Sequence, residues 1–458
     1  MSRLPVWSYQ EAPYVPGLDV RTSKSVARIL YALAMKAGSS FSVALGPAGR
    51  QAARRAVHNT KMTPEIMLSG HLGQTARRAA QYDYTIVAQD TTEIDYASHR
   101  ASKIELGPMG GGERSWGVLA HSCLALSPTG VPLGVVHLDL WTRPILEEPS
   151  KHSRKSKSTE EKESIKWRKG LAAAEAALPD QRIIMVADRE SDVYDYLAAP
   201  RSETTELVLR VTHPRRVTVS GPKGEEVFTT FFDAIGRGRI MGTMEVTIPR
   251  KPGQKERIAT LELRVQELQV LRPKARKLIS NTSSVRYFAV HAVECSVREG
   301  KRPVEWYLLT TMEVYTLEEA CEVVRLYTKR WQIEVLHRTL KTGLRVERLQ
   351  IDDKHALLNA LAAYFIVAWR ILWLTHAGRH HPDDPADKVL EPDEEYLLER
   401  LSGRKIRTCG DAVLALATLG GYEHWKGAPP PGPQSIWIGL RRIQDVLLGH
   451  LIPRRSDG

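Results

Sequence analysis

Cysteine is scarce: four in 458 residues, at Cys123, Cys295, Cys321 and Cys409, never as CxxC. That excludes a disulfide framework and a cysteine-rich zinc site, and it suits a reducing compartment. The opening residues (MSRLPVWSYQEAP) lack the apolar stretch of a secretory signal, so a cytoplasmic location is expected. Long hydrophobic runs are missing apart from residues 357–374, and Asn359 and Arg370 interrupt that one. A central arginine makes a bilayer span costly, so a buried core helix and no membrane association are expected. The glycines at 107 and 110–112 lack the GK[ST] of a phosphate-binding loop. Acidic charge is in deficit, 53 Asp+Glu against 65 Lys+Arg, a net +12. The excess of cations predicts a polyanionic partner and says nothing of fold. Hydrophobic content of 42% and charged content of 26% exclude wholesale disorder.

The chain changes character along its length. Residues 1–83 carry eleven basic against four acidic residues and have helical periodicity at 26–36. Thr63-Pro64-Glu65 has the form of a helix start. Arg50, Arg54 and Arg55 share a helix face that suits either a DNA surface or plain solvent. Residues 84–88 (YTIVA) form a β-rich run ending at Gln89-Asp90. Two apolar stretches, 118–126 and 131–140, flank Ser127-Pro128-Thr129-Gly130 as a hairpin. Residues 151–170 hold eight basic and three acidic residues, a loop followed by a helix through Leu178. Residues 182–187 (RIIMVA) predict a second buried strand, ending at Asp188, with a short helix (192–198) and a strand (207–211) after it. Between 213 and 305, alternating stretches predict antiparallel strands with eighteen basic against ten acidic residues. A long helix is expected from Thr316, where Glu319 completes a capping box, to Lys341, with Gly343 as its stop. Residues 378–395 look like a linker or surface loop, and the last sixty residues return to helix, broken at 428–433 (APPPGP).

Three carboxylates stand out. Asp90 and Asp188 each follow a strand, and aspartates at the carboxyl ends of neighbouring strands converge outside a sheet. Glu334 lies on the long helix. Three clustered acids repel one another unless a cation sits among them, and Mg²⁺ or Mn²⁺ prefers such oxygen ligands. Two ions about 3.5–4 Å apart suit phosphoryl transfer. Either aspartate alone equally suits a turn. On the helix, Tyr327, Arg330, Glu334 and Lys341 fall at offsets 0, 3, 7 and 14, which at about 100° per residue is one stripe about 60° wide. Ile333, Leu336 and Leu340 face the other way. The stripe fits a phosphate-gripping face, and geometry alone also allows a solvated amphipathic helix.

These residues resemble those of bacterial DDE transposases of the cut-and-paste insertion-sequence type. More narrowly, they resemble the subgroup with a Tyr-Arg-Glu-Lys signature that includes the transposase of the kanamycin-resistance composite transposon. The signature Y-x2-R-x3-E-x6-K is met by Tyr327, Arg330, Glu334 and Lys341. Gln89-Asp90-Thr91-Thr92, His121-Ser122, Trp141-Thr142-Arg143-Pro144, Asp188-Arg189-Glu190-Ser191-Asp192 and Leu419-Gly420-Gly421 also match, in the same order.

The resemblance implies a ribonuclease-H-like α/β core interrupted by a β-rich insertion, with helical N- and C-terminal domains. The divisions are 1–83 (DNA binding), 84–212 and 306–376 (core), 213–305 (insertion) and 377–458 (dimerisation). It implies a metal-binding catalytic triad of Asp90, Asp188 and Glu334, holding two Mg²⁺ with Mn²⁺ as substitute. DNA contacts are implied for Tyr327, Arg330, Lys341, Arg210, Arg189, His213 and Arg215. Trp306 would stack on a flipped base, although a buried strand residue is an equal reading of it. The implied reaction is hydrolysis at a transposon end, attack of the freed 3′-hydroxyl to give a hairpin, reopening, and joining to target DNA. The partners are terminal inverted repeats, target DNA and a second copy of the chain in a synaptic complex, at the bacterial nucleoid. A nuclease that never joins ends, or a silent DNA-binding or inhibitory relative, are the alternatives. The basic residues of 145–158 depart from the family and have no assigned role.

Overall fold

The structure is a computed structural model. It describes residues 6–39, 41–96, 105–109, 115–144, 162–248, 256–274, 277–295, 303–425 and 427–450. The glycines at 110–112 and the basic stretch 145–161 lie outside the described residues. The chain forms two compact units. One comprises Asp83–Asp90 and Leu146–Trp331, the other Met1–Tyr82, Thr91–Ile145 and Gln332–Gly458.

The unit built on Leu146–Trp331 is a mixed sheet with helices. Its parallel part joins β1 (Tyr84–Tyr96, through Asp90 in this unit) to β5 (Arg182–Ala187), and β5 to β6 (Thr205–Arg210). Residues 85–89 and 183–187 are all buried, as expected of strands covered on both faces. From β6 the sheet continues antiparallel through β12 (Glu305–Thr310), β11 (Ser284–Glu294), β10 (Arg257–Leu271), β7 (Arg216–Ser220) and β8 (Glu226–Thr230). A further strand, β9 (Arg239–Ile248), also pairs with β10. The alternation seen in residues 260–270 therefore does mark a strand with one buried face. Helix α5 (Ile165–Ala177) ends at Leu178, whose N–H caps onto Ala174, and the short helices α6 (Tyr194–Leu197) and α7 (Phe231–Gly236) follow it. Helix α8 (Leu317–Lys329) packs on β5, β6, β9, β10 and β11. Its capping box forms as expected: Thr316 Oγ1 accepts from the Glu319 N–H and the Glu319 carboxylate from the Thr316 N–H.

The other unit surrounds a long apolar helix, α10 (Lys354–His380), with α1 (Val6–Glu11), α2 (Val20–Met35), α3 (Phe41–Val57), α4 (Pro64–Ala79), α12 (Cys409–Leu419) and α13 (Pro433–His450). Helix α10 packs on α2, α3, α4, α12, α13 and on β4 (Pro132–Trp141). By length and composition α10 matches a membrane span, yet 89% of its most apolar window is buried inside the protein. Its two polar interruptions explain the burial. Asn359 Nδ2 donates to the carbonyls of Val57 (2.9 Å), the last residue of α3, and Met62 (3.1 Å) beyond it. The Arg370 guanidinium lies between the rings of Trp7 and Trp373, 4.6 and 5.1 Å from their centroids, and donates to the Val389 carbonyl. Thr63 caps α4, accepting from Ile66. The expected hairpin joins β3 (Trp116–Leu126) to β4, and Gly130 takes the left-handed conformation (φ 94°) that closes its turn.

A buried polar cluster ties three of these elements together. Glu11 on α1 is 3% exposed and accepts from His71 Nδ1 (2.5 Å) and Arg78 Nη1 (2.7 Å) of α4. The other ring nitrogen of His71 accepts the Val135 N–H of β4 at 2.8 Å, so the ring is neutral with its proton on Nδ1. Burial and Arg78 push the His71 pKa down against the pull of Glu11. Burial works to raise the Glu11 carboxyl, but His71 and Arg78 outweigh it and hold the group below its ordinary range.

Three expectations need correction. The first strand does not end at Asp90 but runs on to Tyr96. The helix from Thr316 is not one regular element. It is interrupted at Arg330, resumes as α9 (Trp331–Arg338) and ends in a π-turn over Thr339–Gly343, where the Leu344 N–H reaches the Thr339 carbonyl five residues back. Residues 378–395 are not simply a linker: α10 extends through His380 and α11 (Pro392–Ser402) begins within them.

Candidate functional site

The parallel register between β1 and β5 sets Gln89 beside Ala187. The next residues are Asp90 and Asp188, so the two aspartates emerge at the same level of adjacent strands. The Asp188 carboxylate accepts the Glu190 N–H at 2.9 Å and caps a one-turn helix over Arg189–Ser191. Asp90 lies 3.9 Å from the Arg330 guanidinium, both side chains less than one-fifth exposed. Gln89, fully buried, donates to the Tyr196 hydroxyl (2.7 Å) and anchors β1 just before Asp90.

A row of side chains leads away from Asp90 within the same unit. The Arg330 guanidinium is 5.8 Å from the centroid of the Tyr327 ring, and Tyr327 meets Trp306 edge-to-face at 5.6 Å. Trp306 is half-buried on β12 and Tyr327 is buried, 5% exposed, so the Tyr327 ring is packing as well as signature. Arg210, at the end of β6, donates to the Glu305 carbonyl beside Trp306. Arg189 and His213 are exposed. Arg215 is turned inward, with 12% of its side chain exposed, donating to the Asp192 carboxylate and carbonyl. Asp192 also accepts the N–H groups of Thr212 and His213, each at 2.9 Å. It thereby fixes the turn after β6, a role its place in the DRESD stretch hinted at without defining.

Glu334 and Lys341 belong to the other unit. Glu334 is half-buried on α9, four residues after Arg330, and Ile333, Leu336 and Leu340 are fully buried, as the stripe required. Lys341 falls inside the π-turn, so its direction does not follow the regular 100° step. In the same unit, Thr91 Oγ1 and His121 Nδ1 are 3.0 Å apart, and Ser122 Oγ and His337 Nε2 are 2.9 Å apart. Sequence reasoning passed over both pairs, although His121-Ser122 stood among the matching motifs. Among the described residues no three His, Cys, Asp or Glu side chains converge closely enough to hold a metal ion. Two carboxylates are brought to adjacent strands and a third is carried on a helix. Carboxylate oxygens such as those of Asp90 and Asp188 are the donors that Mg²⁺ or Mn²⁺ takes.

Two family models match the chain. Residues 157–370 match the transposase DDE domain, a class with a ribonuclease-H-like core whose members generally use divalent metal ions. Residues 366–456 match the dimerisation domain of Tn5 transposase. Between them the two matches run from residue 157 to residue 456, so most of the chain is similar to a transposase DDE domain followed by a Tn5 transposase dimerisation domain.

Proposed function

We propose that this transposase cleaves DNA at transposon ends through a hairpin intermediate and joins the freed 3′-hydroxyls to target DNA. Asp90, Asp188 and Glu334 are its catalytic carboxylates. The observation that carries the reading is the level placement of Asp90 and Asp188 on adjacent parallel strands, with Asp90 paired to Arg330 one helical turn before Glu334. Asp90, Asp188 and Glu334 would hold the divalent ions, which would supply Lewis-acid chemistry for phosphodiester attack. The protein's own groups do the rest. Arg330 positions a phosphate beside the carboxylates while offsetting their charge. Tyr327 and Trp306 form the aromatic platform for an extruded base. Arg210, Lys341, Arg189 and His213 hold the DNA backbone. In this reading Arg215 acts through the turn that carries His213. In-line phosphoryl transfer depends mainly on positioning and charge, so one site can serve each step in turn.

The same reading assigns residues 213–305 to an insertion within the core, 1–83 to end recognition and 377–458 to dimerisation in a synaptic complex. The antiparallel strands β7 to β11 and the exposed Arg50, Arg54 and Arg55 support it. Glu334→Gln tests the site, because it keeps the size of the side chain and removes its charge. Binding to inverted-repeat DNA should survive while cleavage with Mg²⁺ falls by orders of magnitude. Cleavage at a near wild-type rate would remove Glu334 from the site. Strand-transfer products from a precut end separate the transposase reading from a nuclease that only cuts.

A further inference from the structure

His121 and Ser122 are successive residues on β3, both completely buried. Successive strand residues face opposite sides, and each of these reaches a different neighbour. His121 meets the hydroxyl of Thr91, the residue after Asp90, at 3.0 Å. Ser122 meets His337, three residues after Glu334, at 2.9 Å. The His337 ring is itself held edge-on against Phe365, 6.4 Å between centroids.

We propose that His121 and Ser122 are positioning residues, which set β1 and α9 at the points where Asp90 and Glu334 emerge. The proposal rests on the assignment of those two carboxylates as metal ligands. The physical reason is directionality. Helix α9 and the π-turn after it are seated by Ile333, Leu336 and Leu340, whose apolar contacts tolerate sliding and rotation. A buried hydrogen bond of 2.9 Å is gone by about 3.6 Å and weakens steeply as its angle closes, so Ser122–His337 fixes both the height and the roll of the helix. Ligand carboxylates need placement within about 0.5 Å, which apolar packing alone does not supply. Thr91–His121 does the same for the stretch of β1 that follows Asp90.

The test is divalent-ion binding by the full chain, followed by Mn²⁺ titration with electron paramagnetic resonance, so that activity is not the only readout. Ser122→Ala and Thr91→Val each remove one hydroxyl with little change of volume. Each is expected to raise the Mn²⁺ half-saturation about tenfold, as outer-shell substitutions do. Melting without metal should fall by only a few degrees, the effect of a buried group left unpaired, and binding to end DNA should stay close to wild type. His337→Leu should match Ser122→Ala, and His337→Gln, which keeps a polar group at similar reach, should restore most of the affinity. Glu334→Gln must also weaken Mn²⁺ binding. If it does and Ser122→Ala and Thr91→Val do not, the positioning role is wrong and the ligands stand. If Glu334→Gln leaves the titration unchanged, the ligand assignment fails and the positioning role with it.

Discussion

Glu11→Gln is the most quantitative test of the packing. Glu11 accepts from two donors, His71 Nδ1–H and Arg78, in a site where the His71 side chain is fully buried and Glu11 nearly so. An amide in its place can turn its oxygen toward only one of them, and its NH₂ then faces a second donor. Removing one partner of a buried ionic cluster costs roughly 3–5 kcal/mol. The low end applies here, because Arg78 keeps its bond to the Leu133 carbonyl and its place over the Trp369 ring, 4.2 Å from the centroid. A loss of about 3 kcal/mol in a unit of this size corresponds to a fall in Tm of about 6 °C. Differential scanning calorimetry at neutral pH measures it, and a shift under about 1 °C would refute the reasoning. The pH dependence supplies a second check. The folded pKa of Glu11 lies below its ordinary value of 4.5, so its contribution is complete above that value and is lost as pH falls through the folded pKa. The gap between variant and wild type should therefore narrow only in acid. His71 is depressed from 6.5, so the unfolded chain takes up that proton first and wild-type stability should already decline as pH drops below 6.5. A gap that stayed constant into strong acid would show that the charge of Glu11 is irrelevant.

Asn359→Leu strands the Val57 and Met62 carbonyls and should cost about 2 kcal/mol by urea unfolding; an unchanged midpoint would mean water replaces the amide. Trp306→Ala should impair hairpin formation more than nicking on a denaturing gel, and equal loss or no loss at both steps would end its stacking role. Affinity for end DNA should fall steeply between low and physiological salt, because phosphate contacts release counterions; a flat salt profile would count against a backbone-gripping surface. Chelation of divalent ions should abolish cleavage while leaving DNA binding in place.

Much of this was legible beforehand, for identifiable reasons. Residues 84–88 and 182–187 were visible as strands because continuous apolar runs have few other uses, and their pairing put Asp90 and Asp188 side by side. Thr316 with Glu319, and Thr63 with Pro64, announced helix starts through capping chemistry that is local in sequence. Contacts between distant segments were not legible. Nothing within a few residues of Ser122 names His337, and nothing near Glu11 names His71 or Arg78. Asp192 sat inside a recognised motif, but its grip on Thr212, His213 and Arg215 is a tertiary fact. The strand past Asp90 was missed because Thr91–Tyr96 mixes polar with apolar residues. The interruption at Arg330 was missed because no proline or glycine marks it.

The π-turn at Thr339–Gly343 amounts to one surplus residue wound into the end of a helix. Deleting a single position there would let the coil close as an ordinary α-turn and draw everything beyond it out of its present register. Gly343 sits so close to the Trp437 ring that even a methyl group would collide with it, 2.8 Å from the nearest ring carbon. A shortened chain would therefore disturb the seat of α13. Chain length in this five-residue stretch is under tighter restraint than the identity of most residues in it.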